Sequence, residues 1–124
     1  MKKLFCALPA VLALAACNEI PEPVFCPAIV PISVRVTVQD SVSGANVTPG
    51  STLVLRNATS VDSVVAPGEP GLTPMGVGEG RTGTFTLTAR RAGYQAWTKT
   101  DVKVEDGPCG AETVDVTARL KPTA

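Results

Sequence analysis

The stretch Ile32-Ser33-Val34-Arg35-Val36-Thr37-Val38-Gln39 alternates without a break, apolar at the even positions and polar at the odd ones. Successive side chains of a β-strand point to opposite faces. The pattern therefore predicts a half-buried strand, with Ile32, Val34, Val36 and Val38 against a core and Ser33, Arg35, Thr37 and Gln39 turned to water. The valines reinforce the assignment, because branching at Cβ suits an extended backbone better than a helix.

The same period of two returns further along the chain. Thr84 to Arg90 places Phe85, Leu87 and Ala89 on one face and Thr84, Thr86 and Thr88 on the other, and Thr113 to Leu120 points Val114, Val116, Ala118 and Leu120 inward. Between these, Asp40 to Gly50 carries Ser, Gly, Asn and Pro and reads as a turn or loop. Thr52 to Asn57 is a second strand with Leu53 and Leu55 inward, and Ser60 to Ala66 a third whose alternation breaks around Asp62. Pro67 to Gly80 is rich in Gly and Pro and is expected to be a long loop with one short strand near Met75. After a turn at Ala92-Gly93, Tyr94 to Val104 is a strand or strand pair, followed by a turn holding Asp106, Gly107, Pro108 and Cys109. No window after residue 16 supports a helix. Six to seven short antiparallel strands separated by turn signals predict an all-β chain, a single Greek-key β-sandwich over residues 32–124.

Upstream, the character of the chain changes twice. Residues 17–31 contain Pro21, Pro23, Pro27 and Pro31, which exclude a helix and describe an extended tether. Residues 1–16 begin with Lys2 and Lys3 and continue as an uncharged Leu, Ala and Val run, the layout of a secretory signal. Thirteen such residues, Leu4 to Ala16, fall short of the roughly 20 that span a bilayer core.

The end of that run, Leu14-Ala15-Ala16-Cys17, resembles the lipobox of bacterial lipoproteins. The resemblance implies cleavage before Cys17, a diacylglycerol thioether on that residue, N-terminal acylation by palmitate-type chains, and attachment to the membrane through lipid. In Gram-negative lipoproteins an Asp after the Cys acts as an inner-membrane retention signal. Asn18 stands there in this chain, so the resemblance implies the outer membrane.

Removing residues 1–16 leaves 108 of the 124 residues, the size of one domain. Without Lys2 and Lys3 the eleven acidic residues exceed the basic ones by two, and no basic stripe exists that would fit nucleic acid. Of four cysteines, Cys6 leaves with the signal and Cys17 carries the lipid, so Cys26 and Cys109 remain for an oxidising compartment. Pairing them closes a loop of about 84 residues, worth of order 4 kcal/mol in the chain-entropy account. The alternative is two reactive thiols, which would need an electropositive setting or a nearby base, and the chain contains no His.

The opening strand Val34 to Asp40, the strand Gly83-Thr84-Phe85-Thr86-Leu87-Thr88-Ala89, the turn Ala92-Gly93-Tyr94 and Cys109 ahead of Val114 to Leu120 together resemble the carboxypeptidase regulatory-like domain, a transthyretin-type β-sandwich. The likeness spans most of residues 32–122. It implies a fold and not an activity: such domains accompany zinc peptidase domains without supplying metal ligands. The related hydrolases of urate breakdown depend on His, which is lacking here.

Candidate chemistry is sparse. Gly78-Glu79-Gly80-Arg81-Thr82-Gly83 has the G-x-G-x-x-G spacing of a dinucleotide loop, but a Gly/Pro segment precedes it and an alternating strand follows, so a hairpin loop is expected. Asp101, Glu105 and Asp106 are the densest carboxylates; without a partner base they read as solvated loop charges, and no metal or cofactor is expected. Trp97, the single Trp, falls on the outer face if the strand alternates regularly from Tyr94, where it would contact an envelope protein or glycan. A bulge, or a place at the core rim, would turn it inward instead. Tyr94 is expected to fix the core or the turn.

Two function classes follow. One is a lipid-tethered envelope module that binds or builds without catalysis; the other is a ligand carrier or enzyme with a pocket between sheets or at an oligomer interface.

Overall fold

A computed structural model of the chain describes residues 22–123. The expected signal segment, residues 1–16, and the expected lipidation residue Cys17 lie outside the described residues. The alternating stretches become β1 (Ile32–Asp40), β2 (Thr52–Arg56), β3 (Val61–Val65), β4 (Met75–Glu79), β5 (Gly83–Arg90), β6 (Trp97–Val104) and β9 (Val114–Leu120), with a small hairpin of β7 (Asp106–Gly107) and β8 (Gly110–Ala111) before the last strand. Two sheets result, in the orders β4-β1-β9 and β3-β2-β5-β6. They bury between them Val34, Val36 and Val38 of β1, Leu53 and Leu55 of β2, Phe85, Leu87 and Ala89 of β5, Val102 and Val104 of β6, and Ala118 and Leu120 of β9. The fold is an all-β sandwich, and its core is largely the set of positions that alternation selects.

Of three features to compare with the sequence expectation, the first and third depart from it and the second meets it. First, the strands are not all antiparallel: β1 runs parallel to β9, with Val34 opposite Val114 and Asp40 opposite Leu120. Alternation sets which face a strand buries but is blind to chain direction. A parallel pair only requires that the connection cross over, and here most of the domain lies between the two strands. Second, the short strand expected near Met75 is present within the Gly/Pro segment: β4 pairs antiparallel with β1, with Val77 opposite Val34. Its glycines are needed for the close approach, since a Cβ on Gly78, whose φ is +76°, would come within 2.9 Å of a Leu55 methyl. Third, the G-x-G-x-x-G segment connects β4 to β5, which belong to different sheets, so it crosses the sandwich edge instead of closing a hairpin.

Polar groups order the loops. The buried Thr48 hydroxyl accepts from Val38 N at 2.9 Å and lies 2.7 Å from Asn46 Oδ1, while buried Ser51 Oγ donates to Val47 O at 2.7 Å. The Asp40–Gly50 loop is thereby sewn to the end of β1, and its backbone needs are met without a ladder.

Candidate functional site

The residues singled out from the sequence do not converge. Asp101, Glu105 and Asp106 are exposed, and Glu105 pairs with Lys103 at 3.3 Å. No group of three or more metal-type ligands forms among the described residues. Cys26 and Cys109 are joined by a disulfide.

Trp97 turns inward, as the bulge alternative has it, and not outward as regular alternation would place it. It sits opposite Ala89 on β5, half-buried, and packs against the core. The cause is a β-bulge: the two steps along β5 from Phe85 to Leu87 are matched by three along β6, from Val102 back to Lys99. Asp101 takes φ +56° in that stretch. An extra residue inverts the phase, so Val102 and Val104 face inward at even numbers while Trp97 does so at an odd one.

A concave feature lies elsewhere, between β3 and β4. These are the free edges of the two sheets; they face each other across a cleft of about 430 Å³. Its walls come from Asp62, Ser63 and Val64 on one side and Gly76, Val77, Gly78 and Glu79 on the other, with Ile32 and Arg81 completing the lining. Such a volume lies within the range of small-ligand sites. The lining is mostly polar, because glycines expose backbone where side chains would otherwise fill the gap.

An ion pair between Asp62 and Arg81 spans the cleft. Asp62 stands opposite Leu55 on the inward side of β3, which explains why alternation fails there. Its buried Oδ2 faces the Arg81 guanidinium, which balances its charge. Arg81 is positioned through its backbone: Ser33 Oγ, buried on the outer side of β1, donates to Arg81 O at 2.7 Å and accepts from Arg81 N at 2.9 Å. Gly80 N also donates to Pro31 O at 2.8 Å. The crossing loop is thus fixed at three points.

The chain matches no family model and no curated relative.

The cleft can hold a polar ligand by hydrogen bonds from the Ser63 hydroxyl and the edge backbone, with charge from Glu79 and Arg81. Because Asp62 is engaged by Arg81, the lining offers Glu79 as its remaining carboxylate, whereas acid-base chemistry usually needs two groups in complementary states. Sequence reasoning missed this site because its walls come from strands whose pairing it could not foresee. One signal was present. An acidic residue at an inward position inside a Val-rich strand calls for a cation, and Arg81, between flanking glycines on the crossing loop, supplies it.

A second polar cluster is structural. Tyr94 Oη donates to Asp40 Oδ2 at 2.8 Å, and Asp40 Oδ1 accepts from Val42 N at 2.8 Å and Ser43 N at 2.9 Å. The backbone N–H groups of Ser43 and Val42, and then the Tyr94 hydroxyl, hold the Asp40 carboxyl below its ordinary value. The same hydrogen bond to Asp40 raises Tyr94. Arg91 lies over the Tyr94 ring at 5.8 Å. Tyr94 fastens the turn after β5 to the end of β1, in its expected role.

Proposed function

We propose that the chain is a lipid-anchored module of the bacterial cell envelope that binds a polar partner, a glycan or another envelope protein, in the cleft between β3 and β4, without catalytic activity. The observation that carries the binding assignment is that cleft: about 430 Å³, polar, and spanned by the Asp62–Arg81 pair. The anchor rests on Leu14-Ala15-Ala16-Cys17 and on Asn18, which favours the outer membrane. Among the described residues no helix is long and apolar enough to cross a membrane. The order and spacing of the strand sequences support a carboxypeptidase regulatory-like domain. Trp97 belongs to a separate surface, since β6 and β3 are opposite edges of one sheet; its exposed portion is a second proposed contact.

The carrier or enzyme reading would use the same cleft. It is less favoured because Arg81 occupies the carboxylate best placed to act there.

A photo-crosslinking residue at Ser63, introduced in cells, tests the assignment. Adducts should form, and Arg81→Ala should weaken them severalfold. If adducts form equally from an exposed control position such as Thr113 and are unchanged by Arg81→Ala, the cleft is not the site.

A further inference from the structure

Large exposed apolar side chains concentrate in one short segment. Of the seven in the described residues, Val24, Phe25, Ile29 and Val30 fall within seven consecutive positions, and Phe25 is 90% exposed. No charged residue occurs between Glu22 and Arg35. Exposed apolar residues scattered singly need no explanation, but a contiguous group does.

This segment is not a loose tail. The Cys26–Cys109 disulfide ties it to the turn of the β7–β8 hairpin, and Pro31 O accepts from Gly80 N on the crossing loop at 2.8 Å. Its orientation relative to the sandwich is set by these two fastenings. Eight residue steps separate Phe25 from Cys17, so an extended chain holds Phe25 within about 28 Å of the lipid-carrying residue.

We infer that Val24, Phe25, Ile29 and Val30 form a membrane-contacting patch, seated in the interfacial region of the bilayer that holds the anchor, and that the disulfide transmits this contact into a fixed orientation of the sandwich. The inference rests on the lipid-anchor reading. The anchor keeps the patch at high local concentration near the surface, so a few apolar side chains suffice where an untethered segment of this length would bind marginally. Glu79 stands opposite Ile32 at the entry of β1, and Asp106 begins and Glu112 follows the β7–β8 hairpin that the disulfide holds, while Arg81 and Lys103 are paired with Asp62 and Glu105. This excess of negative charge selects a zwitterionic lipid surface over an anionic one. An upright sandwich would also hold the β3–β4 cleft at a constant height above the bilayer.

Fluorescence quenching tests the inference. Phe25→Trp in a Trp97→Phe background places the single indole in the segment, and the full chain, purified from producing cells, is reconstituted into phosphatidylcholine vesicles with bromine on the upper acyl chain. Emission should fall about twofold, as expected for a ring seated roughly 5–10 Å into the headgroup and acyl boundary. Adding Ile29→Ser and Val30→Ser should abolish most of that quenching, and replacing half the lipid by phosphatidylglycerol should reduce it. If mass analysis shows acylated protein and emission remains that of an indole in water, the patch does not touch lipid and the inference fails alone. Acylated protein whose emission shifts to the blue with protein concentration, without bromine quenching, would assign the patch to a second copy of the chain and also overturn it. Absence of the acyl mass would bring down the anchor reading, and the inference with it.

Discussion

The two ends of β1 are fastened by opposite kinds of chemistry. At its entry the chain is held covalently, by Cys26–Cys109, beside apolar side chains that face outward. At its exit it is held by a polar latch, the Asp40 carboxylate taking two backbone N–H groups and the Tyr94 hydroxyl. The first depends on redox state and not on pH; the second depends on pH and not on redox state. A strand central to its sheet can thus be released from either side independently.

Reduction should produce the largest effect. A bridge of sequence separation 83 constrains the unfolded chain strongly, and its loss should cost about 4 kcal/mol in the chain-entropy account. For a domain of this size that corresponds to a fall in Tm on the order of 15 °C. Cys26→Ser with Cys109→Ser should reproduce it. A Tm that does not respond to reductant would mean that the exposed segment is fastened by other contacts.

Next comes the latch. Tyr94→Phe should lower Tm by less than reduction does, and the deficit should depend on pH. Asp40 is held below its ordinary 3.8, so its contribution is present above that value and is lost as pH falls through the lower folded one. Tyr94 is raised above its ordinary 10.0, so the neutral donor contributes fully below that value, and its contribution is lost as pH rises through the higher folded one. The difference in Tm between wild type and Tyr94→Phe should therefore be flat between roughly pH 4 and 10 and shrink on both sides. The deficit from reduction should show no such window. A Tyr94→Phe deficit that ignores pH would show the ring, and not its hydroxyl, to be the fastening.

The smallest effect belongs to the middle of β1. Arg35 and Asp115 pair across the parallel strands at 2.9 Å, with both side chains more than half exposed. Arg35→Ala should cost no more than about 1 kcal/mol, and less in high salt. A larger loss would mean that β9 relies on this pair, rather than on Val116, Ala118 and Leu120, to stay in register.

The fold was legible where burial dictates residue type. β1, β5 and β9 alternate because each buries one face, and the inward positions Val34, Phe85, Leu87 and Leu120 follow from that alone. The Cys26–Cys109 disulfide was expected from the number of cysteines once Cys6 and Cys17 were read as signal and lipid positions. The site was not legible. Asp62, Ser63, Glu79 and Arg81 come from segments that read as an irregular strand and a Gly/Pro loop, and none carries a motif.

The sequence by itself determined an all-β chain and the faces of its main strands, because these depend on neighbours within a few residues. Only the tertiary structure decided that β9 runs parallel to β1, that a bulge near Asp101 turns Trp97 inward, and that the free edges of β3 and β4 leave a polar cleft. Each depends on which strand lies beside which, and a two-residue period carries no record of its partner.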